Sequence, residues 1–263
     1  MSKNIKIVAI IQARMSSSRL PGKVLIEIVG KPVLWHIVNR LREAKRVDKI
    51  VIASPKKDAD KPIMEFAQEH NIDHYEGSER DLLDRIYQAA KKFGADVIVL
   101  ITADCPLIDP AVVDITVKYY LDNSDRFDCV STGTPLQTSR PYPDGLDTMV
   151  FSFNALKKMW KEVKDPFWRE WFAANFCEHP DKYRHTTVPC KEDLPYMRWT
   201  LDYEDDLEFI TEVYKRLYRE DRVFLMEDVL ELLKRNPEIT EINKGHIPEE
   251  PFIKALEVRK GGE

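Results

Sequence analysis

The chain has 263 residues, of which 43% are hydrophobic and 32% charged, and its net charge is −5. This composition is typical of a globular protein, and the acidic balance argues against extensive binding to nucleic acid. No segment approaches the roughly 20 apolar residues of a membrane span, and the first residues lack a cleavage-site pattern. Four separated cysteines without a CxxC pair favour reduced thiols. We therefore expect a cytoplasmic protein that neither binds nucleic acid nor spans a membrane.

An apolar run at residues 5–11 is followed at once by a loop that carries three cations. The run is short, β-branched and almost continuously apolar, which is typical of a strand buried on both faces of a parallel sheet. Arg14, Arg19 and Lys23 follow it. Because ligands of open α/β sheets bind beyond the carboxyl ends of strands, these cations predict a polyanion site, with a triphosphate as the first hypothesis. The alternative is a solvated basic loop.

The following segments alternate between strand and helix patterns. Up to residue 131 we predict helices at 31–44, 63–70, within 76–93 and at 111–121, and strands at 49–54, 96–102 and 127–131. Such alternation predicts an α/β fold, in which a parallel sheet is connected by right-handed crossovers. Later patterns predict strands at 148–151 and 197–201 and helices at 153–163, 165–178, 205–218 and 225–235.

Turn-rich segments suggest how the chain is divided. We predict a single domain over residues 1–235, followed by a peripheral extension with a loose end at 236–263. Within the domain, residues 1–131 form the nucleotide-binding half, which ends where the turn-rich stretch 132–143 begins. Residues 132–202 form the acceptor or dimerisation half, and 203–235 form the C-terminal helices.

Two aspartates follow predicted strands directly. Asp104 comes after the strand at 96–102, and Asp202 ends the strand predicted at 197–201. Carboxylates at this sheet edge are hard oxygen ligands that can hold Mg²⁺ against phosphate oxygens. Alternatively, Asp104 caps a turn. Asp109, followed by Pro110, is predicted to be structural, because the pair forms the N-cap and first position of a helix.

The segment IIQARMSSSRLPGKVL, residues 10–25, resembles the signature loop of the spore-coat polysaccharide (SpsF-type) cytidylyltransferases. These are relatives of the acylneuraminate and 3-deoxy-manno-octulosonate cytidylyltransferases. The resemblance continues through GSERDLLDR (77–85), TADCPLIDP (102–110), YPDGLDTMVF (142–151) and RWTLDYEDDL (198–207). Ser16 and Ala103 stand where the family usually has glycine, and Tyr203-Glu204 lacks the usual proline.

The resemblance implies a Rossmann-like nucleotidyltransferase (GT-A-like) fold with a mostly parallel central sheet flanked by helices. It implies a CTP-dependent, Mg²⁺-dependent cytidylyltransferase that forms a CMP-activated sugar or related compound and releases pyrophosphate. The expected role is surface polysaccharide or glycoconjugate biosynthesis. The acceptor is not identified; an acidic sugar or a phosphorylated small molecule is expected. Arg140, Arg169 and Arg198 could meet an acidic acceptor, but each one taken singly is favoured as a surface ion.

The resemblance also implies a site, in which the catalytic residues are Arg14, Arg19 and Lys23 and the metal ligands are Asp104 and Asp202. The implied nucleotide-binding residues are Gln12, Ala13, Arg14, Ser16, Ser17, Ser18, Lys23, Ser78, Arg85 and Asp104. Asp144 and Asp147 are implied for the second substrate or for metal, although Asp144-Gly145 is equally a turn signal. Asp81 and Arg85 have the i,i+4 spacing of a structural ion pair, which is compatible with a site role for Arg85.

Other functions remain open at this point. A nucleotidyltransferase that uses another base is the nearest alternative. A GT-A-type glycosyltransferase would normally carry an Asp-x-Asp motif, which does not follow the strand at 96–102. A non-catalytic nucleotide sensor would bind triphosphate without releasing pyrophosphate. The aromatic segment 165–178 favours core packing or a subunit interface, and we expect a homodimer.

Overall fold

The computed structural model describes residues 5–134, 140–191, 194, 196–246 and 250–261. Within these residues, the strands are β1 (Ile7–Gln12), β2 (Glu27–Ile28), β3 (Lys31–Pro32), β4 (Lys49–Pro55), β5 (Asp73–Gly77), β6 (Val97–Thr102), β7 (Cys129–Ser131), β8 (Met149–Ser152) and β9 (His185–Thr187). The helices are α1 (Val33–Arg42), α2 (Lys61–Glu69), α3 (Leu82–Phe93), α4 (Pro110–Asp122), α5 (Phe153–Glu162), α6 (Pro166–Glu170), α7 (Phe172–Glu178), α8 (Glu204–Leu217), α9 (Met226–Arg235) and α10 (Glu250–Gly261). Short 3₁₀ turns lie at Lys23–Leu25, Asp58–Asp60 and Pro237–Glu241.

The central sheet has the strand order β5-β4-β1-β6-β8-β7-β9, and β2 and β3 form a separate small hairpin. Strand β8 runs antiparallel to both of its neighbours, and the remaining pairs in the sheet are parallel. The predicted α/β fold with a mostly parallel central sheet flanked by helices is confirmed.

The continuous apolar run of β1 is explained by burial on both faces. Ile7, Ala9 and Ile11 pack in the core layer that contains α1, α4 and α8. The alternate residues, Val8 and Ile10, pack in the opposite layer with α3 and α5. Because successive side chains of a strand point to opposite faces, a strand between two helical layers needs apolar residues at every position.

Polar caps fix where several helices begin. The Asp109 carboxylate accepts hydrogen bonds from the backbone N–H groups of Ala111 and Val112, and Ser152 caps α5 through the N–H of Ala155. The cap by Asp109 is as predicted from the sequence. Each satisfies backbone donors that the first helical turn leaves without partners.

Four elements differ from the sequence predictions. Residues 197–201 do not form a strand of the sheet; in the described part of the chain their β-pairing is limited to one isolated bridge, between Asp144 and Arg198. The helix predicted at 165–178 is divided at Trp171 into α6 and α7. Strands β5 and β9 were not predicted, because they lie at the two edges of the sheet and their half-exposed residues show no apolar alternation.

The described part of the C-terminal segment packs against the domain. Phe252 of α10 is fully buried, and its ring centroid lies 5.3 Å from that of Trp171. Arg259 forms an ion pair of 2.6 Å with Asp165 at the start of α6. These contacts depend on side chains about 90 positions apart, which no local pattern reveals. Residues 135–139 of the predicted turn-rich stretch and 247–249 and 262–263 of the predicted extension lie outside the described residues.

Among the described residues, no helix combines the length and the apolar character needed to cross a membrane.

Candidate active site

A cavity of about 610 Å³ lies beyond the carboxyl ends of β1 and β6. These strands pair in register, with Gln12 opposite Thr102, so the segments that follow them leave the sheet at the same level. The extended segment 197–201 reaches the same place because the N–H of Leu201 donates to the carbonyl of Asp104 at 2.8 Å. The predicted site residues that line this cavity are Gln12, Ala13, Arg14, Ser16, Ser17, Ser18, Arg19, Lys23, Arg85, Asp104, Asp144, Asp147 and Asp202.

Lys23 connects the two carboxylates that the sequence predicted as metal ligands. Its Nζ atom lies 3.1 Å from Oδ2 of Asp104 and 2.9 Å from Oδ1 of Asp202. Burial by itself would lower the pKa of Lys23, but the two carboxylates outweigh burial and raise that pKa above its ordinary value. Burial likewise opposes ionisation of Asp104, yet the charge of Lys23 holds the pKa of Asp104 below its usual value. Lys23 is therefore an ammonium at neutral pH, facing ionised carboxylate.

Arg19 approaches the same centre from the loop after β1. Its guanidinium donates to Oδ1 of Asp202 at 2.7 Å and lies over the ring of Tyr203, 4.9 Å from the ring centroid. The ring of Tyr203 is also stacked on that of His246, with the two ring centroids 3.9 Å apart. Arg19 and Lys23 thus converge on Oδ1 of Asp202, which fixes the positions of both cations.

The carboxylates of Asp104 and Asp202 are the candidate ligands for a metal ion. No group of three or more His, Cys, Asp or Glu side chains within the described ranges could hold a metal by itself. Magnesium, however, is commonly held by one or two carboxylates together with substrate phosphates. The hard oxygen donors of Asp104 and Asp202, brought together around Lys23, fit that kind of site.

At another part of the cavity, two buried polar atoms have no hydrogen-bond partner among the described residues. They are Oε1 of Gln12, an acceptor, and Nε of Arg85, a donor. Arg85 is held in place by a 2.7 Å bond from its NH1 group to the carbonyl of Ser78. Buried polar atoms in native proteins are normally paired, so this donor and acceptor are available to a ligand. Ser78 itself does not line the cavity; it positions Arg85.

The predicted ion pair between Asp81 and Arg85 is not formed. Asp81 instead caps α3, accepting from the N–H of Asp84, and binds Nε of Arg169 at 2.7 Å. Arg169 also donates to the carbonyls of Trp160 and Val163. Arg169 is therefore a structural residue that ties α6 to the start of α3, and Arg85 remains oriented toward the cavity.

Arg140 and Arg198 are buried, so the sequence preference for surface ions is wrong for both. Arg140 binds Asp144 at 2.9 Å and also pairs with Asp147, while Arg198 binds Asp206 through two bonds of 2.8 Å. Burial and the adjacent charge of Asp147 raise the pKa of Asp144 to about 7, against the opposing effect of the two arginines. These aspartates and arginines form the charged wall of the cavity between the turn 144–147 and the segment 197–201.

Sequence reasoning missed several residues of this region. Asp206 was predicted only as an acidic residue in the first turn of a helix, yet it also accepts a 2.8 Å bond from Nδ2 of Asn243. The backbone of Gly145 adopts φ +112°, and a Cβ there would lie 2.4 Å from the backbone carbon of Trp199. Only glycine allows this close approach of the two segments. Glu170, Trp171 and Lys254 also line the cavity without having been predicted to do so.

Comparisons with known proteins identify relatives of this chain. Residues 8–231 match the family described as Cytidylyltransferase. An uncharacterized protein of Methanocaldococcus jannaschii is 35% identical over 242 residues, which cover 91% of this chain and 95% of that protein. The spore coat polysaccharide biosynthesis protein SpsF of Bacillus subtilis is 28% identical over 239 residues, covering 88% of this chain and 95% of SpsF.

A solved structure agrees with these sequence matches. The structure of a cytidylyltransferase from Leptospira borgpetersenii is similar with a TM-score of 0.83 and 29% identity, covering 90% of this chain and 97% of that one. The family resemblance inferred from residues 10–25 and the later motifs is confirmed. Since the match extends over most of its length, the chain belongs to the cytidylyltransferase family.

Proposed function

We propose that this protein transfers CMP from CTP to an oxygen of an acidic sugar or phosphorylated acceptor. The acceptor oxygen attacks the α-phosphorus, the bond from that phosphorus to the bridging oxygen breaks, and pyrophosphate leaves. The observation that carries the proposal is the convergence of Arg19, Lys23, Asp104 and Asp202 at one cavity in a member of the cytidylyltransferase family. Such a reaction depends mainly on placement and charge stabilisation rather than on covalent chemistry by the protein.

Arg14, Arg19 and Lys23 bind the triphosphate in this proposal. All three line the cavity, and the raised pKa of Lys23 keeps its ammonium protonated under working conditions. Fixed cations aimed at the leaving pyrophosphate stabilise the charge that develops on it, and one such group typically contributes about 100- to 1,000-fold in rate.

Asp104 and Asp202 would hold Mg²⁺. When bound, the ion would neutralise phosphate charge and make the α-phosphorus more electrophilic. The oxygen donors of these two residues support this assignment, since Mg²⁺ prefers carboxylate and phosphate oxygens. Lys23 and Arg19 balance the carboxylates and orient them in the geometry described above.

Gln12 and Arg85 are the proposed readers of the base. Cytosine presents an exocyclic amino donor and adjacent ring acceptors on one edge. The free acceptor atom of Gln12 and the donor atom of Arg85 are complementary to that edge. Uracil presents oxygen in place of the amino group and an N–H in place of the ring acceptor, so we expect UTP to bind more weakly.

Asp144 and Asp147 are proposed to bind the acceptor. Carboxylates accept hydrogen bonds from sugar hydroxyls, and the nearby guanidinium groups of Arg140 and Arg198 suit an acidic substituent. A role in surface polysaccharide or glycoconjugate biosynthesis is in keeping with the similarity to SpsF of Bacillus subtilis.

The proposal is tested by following pyrophosphate release. The protein is incubated with Mg²⁺, one of CTP, UTP, GTP or ATP, and an acceptor panel that begins with 3-deoxy-manno-octulosonate and N-acetylneuraminate. Calorimetry first establishes which triphosphate binds. Binding of CTP in preference to the others, with acceptor-dependent pyrophosphate release, is expected. Preference for another triphosphate would refute the base assignment, and CTP binding without release over a broad panel would favour a nucleotide sensor.

The predicted homodimer stays a prediction. The aromatic segment that suggested it is partly covered by Phe252 of the same chain, whose ring lies 6.4 Å from Trp168 and 5.3 Å from Trp171. Light scattering coupled to size-exclusion chromatography measures the mass directly.

A further inference from the structure

Helix α10 extends the cavity beyond the part of the chain that matches the family. The family match ends at residue 231, whereas α10 begins at Glu250. The helix is docked by Phe252, which is fully buried, and by the Arg259–Asp165 ion pair. Two residues after Phe252, Lys254 lines the cavity. A cation from the C-terminal helix therefore borders the proposed nucleotide site.

The contacts of α10 place Lys254 at the wall formed by α6. Trp171 follows α6 directly, contacts Phe252 and lines the cavity with Lys254. The neighbouring Glu170 binds the guanidinium of Arg14 at 3.4 Å. Helix α6 is also tied to the start of α3 by the bond between Arg169 and Asp81. This wall thus belongs to the side of the cavity that carries Arg14 and Arg85.

Lys254 matters for the charge of the cavity. Among the described residues that line it, seven are Lys or Arg and five are Asp or Glu, which leaves a net charge of +2 when all are ionised. Lys254 is one of these seven cations, so it adds one positive charge to the surface that a triphosphate would meet.

We propose that Lys254 is a nucleotide-binding residue that donates to a phosphate oxygen of bound CTP from the same wall as Arg14. The inference rests on the proposed function, because it takes CTP as the ligand. In this arrangement helix α10 positions the ammonium of Lys254 at the cavity. The aromatic packing of Phe252 holds the helix in place. The neutral part of the nucleotide makes no contact with Lys254 in this arrangement.

Calorimetric titration of the full chain with CTP, CMP and cytidine tests the inference. Lys254→Gln should raise the Kd for CTP about fivefold, as expected for the loss of one partly exposed ion pair. Lys254→Arg should restore binding because it keeps the charge. The difference in Kd for CTP between Lys254→Gln and wild type should become smaller when the salt concentration rises from 0.1 M to 1 M. The reason is that the Debye screening length falls from about 10 Å to about 3 Å. Cytidine should bind wild type and variant equally.

Lys244→Gln is the matched control. Lys244 is an exposed lysine of the same C-terminal segment; it pairs with Glu241 and does not line the cavity. An unchanged Kd for CTP in Lys254→Gln would overturn the inference, and so would an equal weakening of cytidine, which would indicate a change in cavity shape. If the wild-type protein does not bind CTP, the proposed function is refuted, and this inference is refuted with it. Binding of CTP by wild type therefore separates the two failures.

Discussion

The Nζ atom of Lys23 lies 2.9 Å from Oδ1 of Asp202, although the two residues are 179 positions apart in the chain. Only 11% of the Lys23 side chain and 12% of the Asp202 side chain are exposed, so this pair is largely shielded from water. The contact joins the loop after β1 to the segment before α8. A change at either residue is therefore expected to affect both the charge of the cavity and its shape.

Lys23→Ala should lower kcat/KM for CTP by about 100-fold or more, because a fixed cation that stabilises the leaving pyrophosphate is lost. The fold should persist, since Asp202 retains Arg19 and Arg198 as partners. Initial rates of pyrophosphate release and circular dichroism check the two parts. Lys57→Ala removes a surface lysine paired with Glu79 and serves as the control. A Lys23 variant with the kcat/KM of the control would exclude the proposed role.

Metal removal should abolish turnover if Asp104 and Asp202 hold Mg²⁺. A chelator is expected to stop pyrophosphate release and added Mg²⁺ to restore it, while Asp104→Asn should raise the Mg²⁺ concentration needed for half-maximal rate. Undiminished release in the chelator would contradict the metal assignment.

Asp202→Asn should also lower the free energy of unfolding, by about 3 kcal/mol, because it breaks a largely buried set of ion pairs. Asp104→Asn should cost less, since its side chain is 29% exposed. Urea unfolding of both variants compares these effects. Equal losses would mean that the additional ion pairs of Asp202, with Arg19 and Arg198, contribute little to stability.

The parts of the fold that the sequence predicted correctly are those with a local signal. The buried strands β1 and β6 are apolar at every position but the last, and Asp109 and Ser152 stand where a helix cap is needed. The basic loop was recognised because its three cations follow a buried strand directly. In each case a short stretch contains both the pattern and its physical reason.

The parts that were missed depend on contacts between distant residues. The apolar pattern at 197–201 could not distinguish a strand of the sheet from an extended segment with one bridge. The bonds from Asn243 to Asp206 and the docking of Phe252 against Trp171 join positions far apart in the chain. Polar pairs of this kind have no periodicity, so a single sequence does not reveal which arginine is buried and which faces water.

Asp144 should make stability depend on pH. Its folded pKa of about 7 lies above its ordinary value of 3.8, so the folded state holds the proton more tightly. This contribution is fully present below about pH 4 and is lost as the pH rises through 7. The free energy of unfolding of wild type relative to Asp144→Asn should therefore fall by about 2 kcal/mol between pH 5 and pH 8.

Urea titrations of wild type and Asp144→Asn at several pH values measure this difference. Asp181→Asn, at an exposed position, is the control, and its difference from wild type should change little over the same range. An Asp144→Asn difference that stays flat, or rises with pH, would mean that Arg140 and Arg198 keep this carboxyl ionised in the folded protein.

Phe252→Ala tests how firmly α10 is docked. The phenyl ring is fully buried against Trp171, with Phe167 and Trp168 close by, and its loss should lower the free energy of unfolding by about 3 kcal/mol. This decrease in the free energy of unfolding cannot exceed the free energy with which α10 binds the domain. Beyond that limit α10 dissociates from the domain while the sheet stays intact. Val258→Ala is the matched control on the same helix, since Val258 is 77% exposed and should change stability by about 0.5 kcal/mol or less. Urea unfolding followed by tryptophan fluorescence compares the two variants. Equal stability of the two would show that the ring of Phe252 does not hold α10 in place, and Lys254 would then have no fixed position at the cavity.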